Sequence, residues 1–334
     1  METRKVQITG GNTYIVSLPK KWVHERGINS GDPLKIIPQR DGTLVVEPDR
    51  TEKKEVHEKT FTVDGDKPDH LLRKLIGAYI SGYSLINLNS KERFDPKLRK
   101  TVREFSRIVI GPEIIEESMK NVVIQDFIDP SELSMAKGTK RMYLITKGMH
   151  QDALTALEEK DADLALDVKS RDAEVDRLYY LISKQFSTML RNPRPGTSVG
   201  FLVESHYYLL LARLIERIAD HACKMAVNIT RIEELVDPNL VSELSRLSAA
   251  SIGIIDSGMK GLERKDVNEA NKGIEIMDEL KSNCDDLFEN VKTMNSDLAV
   301  SLAYIIESIL RTGFYGVNVC ETAINYLISR EDEA

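Results

Sequence analysis

The sequence of 334 residues lacks the features that mark disulfide-bonded, secreted and membrane-spanning proteins. Its three cysteines are scattered without paired spacing, which predicts a reducing compartment and argues against a thiolate metal site. The first residues, METRKVQITG, are charged at once and contain no apolar core of a signal peptide. No apolar run approaches the ~20 residues that span a bilayer. We therefore expect a cytoplasmic protein without membrane insertion.

Enzyme motifs are missing as well. Residues 53–135 contain no catalytic or phosphate-loop motif, and no nucleophile is spaced to pair with a general base elsewhere. The acidic helices described below contain no Glu-x-x-His pair, which di-iron bundles use. These absences predict that the protein is not an enzyme and disfavour a metalloenzyme.

Length and charge indicate several domains with an uneven charge distribution. A chain of this length predicts two or three domains. The net charge of -7 argues against a protein that coats nucleic acid generally. Residues 1–50 nevertheless hold eight Lys and Arg against six Asp and Glu. This contrast favours an anionic partner for the N-terminal segment.

Residues 1–52 show the order β-β-α-β-β. The runs KVQIT and TYIVSLP flank a GGN turn, and Pro19 and Gly27 bound a short helix. The runs LKIIP and TLVVEP form a hairpin through Asp41-Gly42. About 50 residues lie near the lower limit for independent folding, and exposed strand edges invite pairing. We therefore expect a dimer that exchanges hairpins.

This segment resembles the AbrB/MazE/SpoVT family of swapped-hairpin DNA-binding domains through GNTYIVSLPKKW, GINSGD and DGTLVV. The resemblance implies that two copies form one small β-barrel head, a homodimer through residues 1–52, with basic residues near its start on DNA. Their contacts would be salt-dependent and made to phosphates. Solvated charges on an oligomerisation module are the open alternative. The matching residues are Arg4, Lys5, Lys20 and Lys21.

After the charged stretch DRTEKKEVHEK, residues 53–135 alternate in the order β-α-β-α-β, which predicts a small α/β linker domain. One of its helices is basic, and a solvated face is the favoured interpretation. The sequence predicts no role for this domain beyond linking or dimerising. The basic residues are Lys97, Arg99, Lys100, Arg103 and Arg107.

Residues 136–334 predict an all-α body of two three-helix bundles, so that the whole chain is a multidomain α+β protein. ALEEKDADLA at 156–165 matches GLERKDVNEA at 261–270, which indicates a duplicated unit. The predicted helices span about 136–160, 163–191, 198–232, 239–264, 266–294 and 297–330.

Four carboxylates lie along the edges of apolar stripes in the first bundle. Asp172 and Asp176 are four residues apart on one helix, and Glu216 and Asp220 repeat that spacing on the next. Counting from a midpoint near Arg194 places both pairs within about one helical turn in height. Partly buried anions need compensation. Spacing alone leaves two options, a metal ion or the cations Arg213, Arg217 and Lys224.

RDAEVD and LIERIADHACKMAVNI resemble the PhoU family of phosphate-uptake regulators, over about residues 140–330. The family's hallmark is an E/D-x-x-x-D motif in each of two three-helix bundles. The resemblance implies that Asp172, Asp176, Glu216 and Asp220 hold a divalent or ferric metal ion. Its identity, among Fe, Mg, Mn, Zn and Ca, stays open.

The second bundle departs from this motif. Arg311 stands at the place of Glu216, Tyr315 at that of Asp220, and Lys281 at that of Asp172, while Asp285 remains acidic. Cations in a cation site oppose binding, so we expect one metal site at most. The histidines His150, His206 and His221 lack ligand-spaced partners and are expected to be structural or on the surface.

The two resemblances imply a cytoplasmic transcriptional regulator of phosphate uptake, with a DNA-binding head coupled to a metal-binding sensor body. The alternative is a PhoU-type adaptor that regulates a phosphate ABC transporter or a sensor kinase by protein contact, with a head that only dimerises. The fusion of head and body in one chain favours the regulator.

Overall fold

A computed structural model describes residues 2–38, 42–48, 57–128, 133–191, 199–294 and 296–331. The chain divides into a first unit containing residues 1–55 and a second containing residues 56–193 and 199–334. The predicted domain boundaries at 52/53 and 135/136 stay predictions. The first of them, the turn residue Asp41 and the midpoint at Arg194 lie outside the described residues.

The first unit has the predicted β-β-α-β-β order. Both strand pairs are antiparallel hairpins, and the first turns at Gly10 and Gly11, which adopt positive φ angles. No residue that the structure describes in this unit is buried. Its elements are β1 (Gln7–Thr9), β2 (Thr13–Ile15), α1 (Lys20–Glu25), β3 (Leu34–Pro38) and β4 (Leu44–Pro48).

An α/β part opens the second unit. Its four-stranded sheet has the order β5-β6-β8-β7, in which only β5 and β6 are parallel. Tyr79, Phe94 and Phe105 are fully buried in its core. The predicted β-α-β-α-β order was wrong by one strand, because β7 was missed. The elements are β5 (Glu58–Thr62), α2 (Pro68–Ile80), β6 (Leu85–Asn89), α3 (Pro96–Ile108), β7 (Pro112–Glu117) and β8 (Asn121–Asp126).

The rest of the second unit consists of the helical bundles that the sequence predicts. The long helix predicted at 266–294 is in fact two helices, which meet at Ile276. The first bundle contains α4 (Met135–Glu159), α5 (Ala162–Arg191) and α6 (Val199–Ile229). The second contains α7 (Pro238–Arg264), α8 (Val267–Glu275), α9 (Met277–Val291) and α10 (Ser296–Glu331).

The internal repeat is visible at the ends of α4 and α7. Both helices end at a lysine in the left-handed conformation, Lys160 with φ 55° and Lys265 with φ 57°. An aspartate follows each lysine and accepts a hydrogen bond from a backbone N–H of the next helix. Two such matched caps support a duplicated helix–turn–helix unit.

Buried and partly buried polar contacts join the parts of the second unit. The side chains of Lys184 on α5 and Asp126 at the end of β8 form an ion pair and are 5% and 4% exposed. Between the bundles, the Asp256 carboxylate accepts from the Tyr143 hydroxyl and lies 2.7 Å from the Lys147 ammonium. The α/β part is therefore anchored on α5, the helix that also carries two of the predicted metal ligands.

One helix among the described residues, α10, is long and apolar enough to cross a membrane. Nearly half of its apolar window, 44%, is buried in the protein, and α10 packs against α6 and α7. Core helices of bundles have the same composition, so this single helix is weak support for membrane insertion.

Candidate functional site

The four predicted ligands lie on the facing helices α5 and α6. Buried Val168 and Val175 hold α5 in the core, while Ala219 and Ala222 let α6 pack closely. The carboxylates beside these residues are partly buried. Each of Asp172, Asp176 and Glu216 feels the charge of at least one carboxylate on the other helix. The structure thus brings together the cluster that the helical spacing predicts, named the acid cluster here: Asp172, Asp176, Glu216 and Asp220.

Burial dominates the electrostatics of the acid cluster. Desolvation, followed by the charge of Asp220, raises the pKa of Asp172 to about 6. Desolvation and the three neighbouring carboxylates raise the pKa of Asp176 to about 7. The pKa of Glu216 is also raised, because its desolvation outweighs the nearby Arg213. These three carboxyl groups therefore keep their protons to a higher pH than solvated carboxyl groups do.

Two of the expected cations do compensate one side of the cluster. The Arg213 guanidinium lies 3.3 Å from Oε1 of Glu216. Arg217 lies 3.8 Å from Oε2 of Glu216 and 3.8 Å from Asp220. Lys224 forms no ion pair with Asp220 among the described residues, contrary to that option. Both arginines are more than 40% exposed, which limits what the pairs contribute.

The acid cluster is only partly compensated, and its α5 side is compensated least. Asp172 and Asp176 form no ion pair with any residue in the described ranges. Oε2 of Glu216 is buried and has no hydrogen-bond partner there. Partly desolvated carboxylates with few donors suit a hard cation such as Mg²⁺, Mn²⁺ or iron. The donor chemistry therefore fits a metal ion.

The geometry stops short of a preformed metal site. Over the described part of the chain, no three His, Cys, Asp or Glu side chains converge closely enough to hold a metal ion. Binding would thus require the carboxylates to move together. The metal ion stays a prediction.

Two neighbours of the acid cluster were not predicted as site residues. The Cys223 thiol hydrogen-bonds Asp172, and burial with that carboxylate raises the thiol pKa to about 11. The ring of Tyr180 packs against the α/β core, and burial followed by Asp176 and Glu216 raises its pKa. Position 180 is one helical turn after Asp176, which could have signalled proximity. Tyr180 therefore links the acid cluster to the α/β part.

The second bundle offers no matching cluster among the described residues. Arg311 lies 2.7 Å from Glu307, one turn away on its own helix. Tyr315 packs against the ring of His221, 5.8 Å between centroids. His150 is fully buried, with Nε2 within 3.4 Å of the Ile218 carbonyl, and desolvation lowers its pKa to about 4. These contacts are structural, as the sequence predicts for the histidines.

The four predicted DNA-contacting residues are all exposed on the first unit. Arg4 pairs with Glu2, and Lys21 lies 3.8 Å from Glu25. Lys5 and Lys20 form no ion pair with the residues that the structure describes. Two of the four charges thus have an ion-pair partner close in sequence, and none of the four side chains is buried.

Family comparisons agree with both parts of this arrangement. Residues 139–229 match the model of the PhoU domain, and residues 7–54 match that of MazE, the antidote-toxin recognition protein and bacterial antitoxin. The chain contains a PhoU domain behind a MazE-type domain. The acid cluster lies wholly within the PhoU domain.

Relatives and solved structures extend this result. Two phosphate-specific transport system accessory protein PhoU homologs, from the Caulobacter vibrioides strains NA1000/CB15N and ATCC 19089/CIP 103742/CB 15, are each 32% identical over 133 residues. The match covers 40% of this chain and 54% of each homolog, so it spans about half their length.

The helical body has the fold of solved PhoU proteins. The phosphate transport system regulatory protein PhoU from Streptococcus pneumoniae aligns with TM-score 0.52 and 16% identity, over 57% of this chain and 92% of that one. PhoU from Pseudomonas aeruginosa aligns with TM-score 0.53 and 19% identity, over 58% and 95%. At these identities the likeness shows the fold alone.

Proposed function

We propose that the chain is a cytoplasmic transcriptional regulator of phosphate uptake, and not an enzyme, whose dimeric DNA-binding head is coupled to a metal-binding sensor body. The observation that carries the proposal is the presence of a MazE-type segment and a PhoU domain in one chain. The first is a DNA-binding type by the resemblance argued above. The second connects the chain to phosphate transport through the names of its relatives.

Dimerisation of the head is supported by its uncovered apolar side chains. None of its described residues is buried, which is untenable for a folded unit alone. Pairing with a second copy would cover these side chains and the strand edges. The exposed set is Val6, Ile8, Tyr14, Ile15, Val16, Ile36, Leu44 and Val45.

Sedimentation of the full chain over a concentration series tests this. We expect a dimer that Ile8→Asp weakens at least tenfold, because a charge would enter the apolar interface. The matched control is Leu235→Asp, at an 83% exposed leucine of the body, which should leave the dimer intact. A wild-type chain that is monomeric at tens of micromolar would refute the proposed head.

DNA binding is supported by the basic residues of the head, whose phosphate contacts would be salt-dependent. Fluorescence anisotropy with the duplex upstream of the organism's phosphate-transport genes tests it. Changing all four head cations to Ala should lower the salt slope by about 0.9 per lost phosphate contact. The control changes four exposed body cations to Ala: Arg231, Lys260, Arg264 and Lys281. Equal loss in both variants, or unchanged affinity in the first, contradicts the proposal.

Among the described residues, metal binding by the body is supported by the acids of α5, which form no ion pair, and by the buried Glu216 oxygen that has no hydrogen-bond partner. A metal ion would neutralise these carboxylates, and the four residues of the acid cluster would hold it. Elemental analysis and thermal shift with Fe, Mn, Mg, Zn and Ca salts test this. Asp176→Asn with Glu216→Gln should abolish the shift. Asp278→Asn with Glu279→Gln, at exposed acids of the second bundle, should preserve it.

The alternative adaptor function rests on the names of the relatives, which place those proteins with phosphate transport systems. It predicts a complex with a phosphate ABC transporter or a sensor kinase that forms without DNA. Co-purification of that partner, together with no salt-dependent DNA binding by the wild-type chain, would replace the regulator with the adaptor.

A further inference from the structure

The exposed face of α3 in the α/β part carries positive charges that the described residues leave unpaired. Residues 91–107 contain seven Lys and Arg against three Asp and Glu, in a chain whose net charge is -7. Arg99 and Arg103 pair with Glu117 on β7, as a structural contact. Lys91 lies beside Asp64, so its charge is partly offset by that carboxylate.

Arg93 precedes α3, and the three remaining cations share one face of the helix. At about 100° per residue, Lys97, Lys100 and Arg107 fall within an arc of about 80°. They spread over ~15 Å along the axis. All three are exposed and have no ion-pair partner in the described residues. Glu104 is the acid on the same arc, and Asp95 is occupied in capping the helix at Lys97 N–H.

The apolar side of α3 is fully occupied by packing within the α/β part. Leu98, Val102 and Phe105 are buried against the sheet, at most 4% exposed. The outward face therefore has no aromatic or aliphatic anchor, which protein interfaces need at their centre. It also lacks the apolar residues with which an amphipathic helix enters a membrane surface. A row of cations without apolar anchors fits a polyanion whose charges alone are contacted.

We propose that this α3 face, made of Lys97, Lys100 and Arg107, is a second phosphate-contact surface for duplex DNA, in addition to the head. Duplex DNA presents about one charge per 1.7 Å of axis, so ~15 Å of helix faces several phosphates. The contacts carry no base recognition and add affinity and salt dependence. The inference rests on the proposed DNA-binding function.

The test compares full-length variants on the duplex that the wild-type chain binds. Lys97→Gln, Lys100→Gln and Arg107→Gln together keep helix-forming residues at exposed positions, so circular dichroism should be unchanged. We expect affinity at 0.15 M salt to fall ~5-fold per lost contact, hence at least tenfold, and the salt slope to fall by about 0.9 per contact. The matched control is Lys260→Gln, Arg264→Gln and Lys281→Gln.

The outcomes separate this inference from the proposed function. If the head variant loses DNA binding and the α3 variant keeps wild-type affinity and slope, the α3 surface is overturned and the regulator stands. If the wild-type chain binds no duplex, both are overturned. If the α3 variant loses binding only to vesicles containing anionic lipid, the surface belongs to a membrane and the inference is wrong.

Discussion

The ion pair between Lys184 and Asp126 offers the sharpest test of how the α/β part is attached to the helical body. Both side chains are at least 95% buried, and the ammonium lies 4.7 Å from the centre of the Tyr79 ring. Lys184→Met removes one charge and leaves the other buried without its partner. Breaking a buried pair in this way costs about 3–5 kcal/mol of unfolding free energy.

A second substitution separates the charge effect from the loss of packing. Asp126→Asn on the Lys184→Met background removes the stranded charge, and the side-chain oxygen of the introduced amide can still accept the hydrogen bond that Ile128 N–H now donates to the carboxylate. The double variant should therefore recover more than half of the loss. Lys140→Met is the matched control, because its pair with Glu263 is 57% and 66% exposed and is worth at most ~1 kcal/mol.

Urea unfolding followed by circular dichroism measures these differences in unfolding free energy. If Lys184→Met costs less than about 1 kcal/mol, as the exposed control does, the pair does not anchor this junction. A double variant as unstable as the single one would show that packing, not the stranded charge, is responsible.

Three further predictions concern the body. The pKa of His150 is lowered to about 4, so the stability that its neutral form contributes is present above pH 6.5 and is lost as the pH falls toward 4. In urea unfolding, His150→Gln should therefore reduce the acid-induced loss of unfolding free energy by about 3 kcal/mol. A difference in unfolding free energy between pH 7 and 4.5 that is the same as in the wild-type chain would contradict this. The pKa of Asp176 is raised to about 7, which reverses the pH dependence: the stability that this carboxyl contributes is present below pH 3.8 and is lost as the pH rises through 7. Without metal, Asp176→Asn should be more stable than wild type at pH 8 by ~1–2 kcal/mol, after allowance for its partial exposure, and equal at pH 4. Gly258→Ala should cost ~1–3 kcal/mol of unfolding free energy, because the added methyl group would meet the backbone of α10 at 3.0 Å. Gly253→Ala, at a position with open space, should instead stabilise α7. Equal effects of the two substitutions in thermal melts would refute the close approach of α7 and α10.

Much of the fold is predictable from local pattern. The helices of the body have apolar periodicity over several turns, and their ends carry explicit signals, such as Asp237 with Pro238 before α7. Strand β7 was missed because PEIIEE begins with proline, is acidic and contains an irregularity at Ile115. The break at Ile276 keeps helical angles, and the only nearby signal is Gly273, which is weak because a single glycine is tolerated inside a helix.

The acid cluster was predictable as a set, but its environment was not. Four-residue spacing places Asp172 with Asp176 and Glu216 with Asp220 on their helix faces whatever the tertiary structure. How deeply they are buried depends on the packing of α5 against α6 and the α/β part. Tyr180 illustrates this, since its neighbours come from both.

The central claim is that the state of the acid cluster controls DNA binding by the head. Its most direct test is the DNA affinity of the full chain, titrated with Mn²⁺ or Fe²⁺ at fixed ionic strength and phosphate. The account predicts a metal-dependent change in affinity for the wild-type chain and none for Asp176→Asn with Glu216→Gln. The same response in both, or DNA binding indifferent to metal in the wild-type chain, would contradict it.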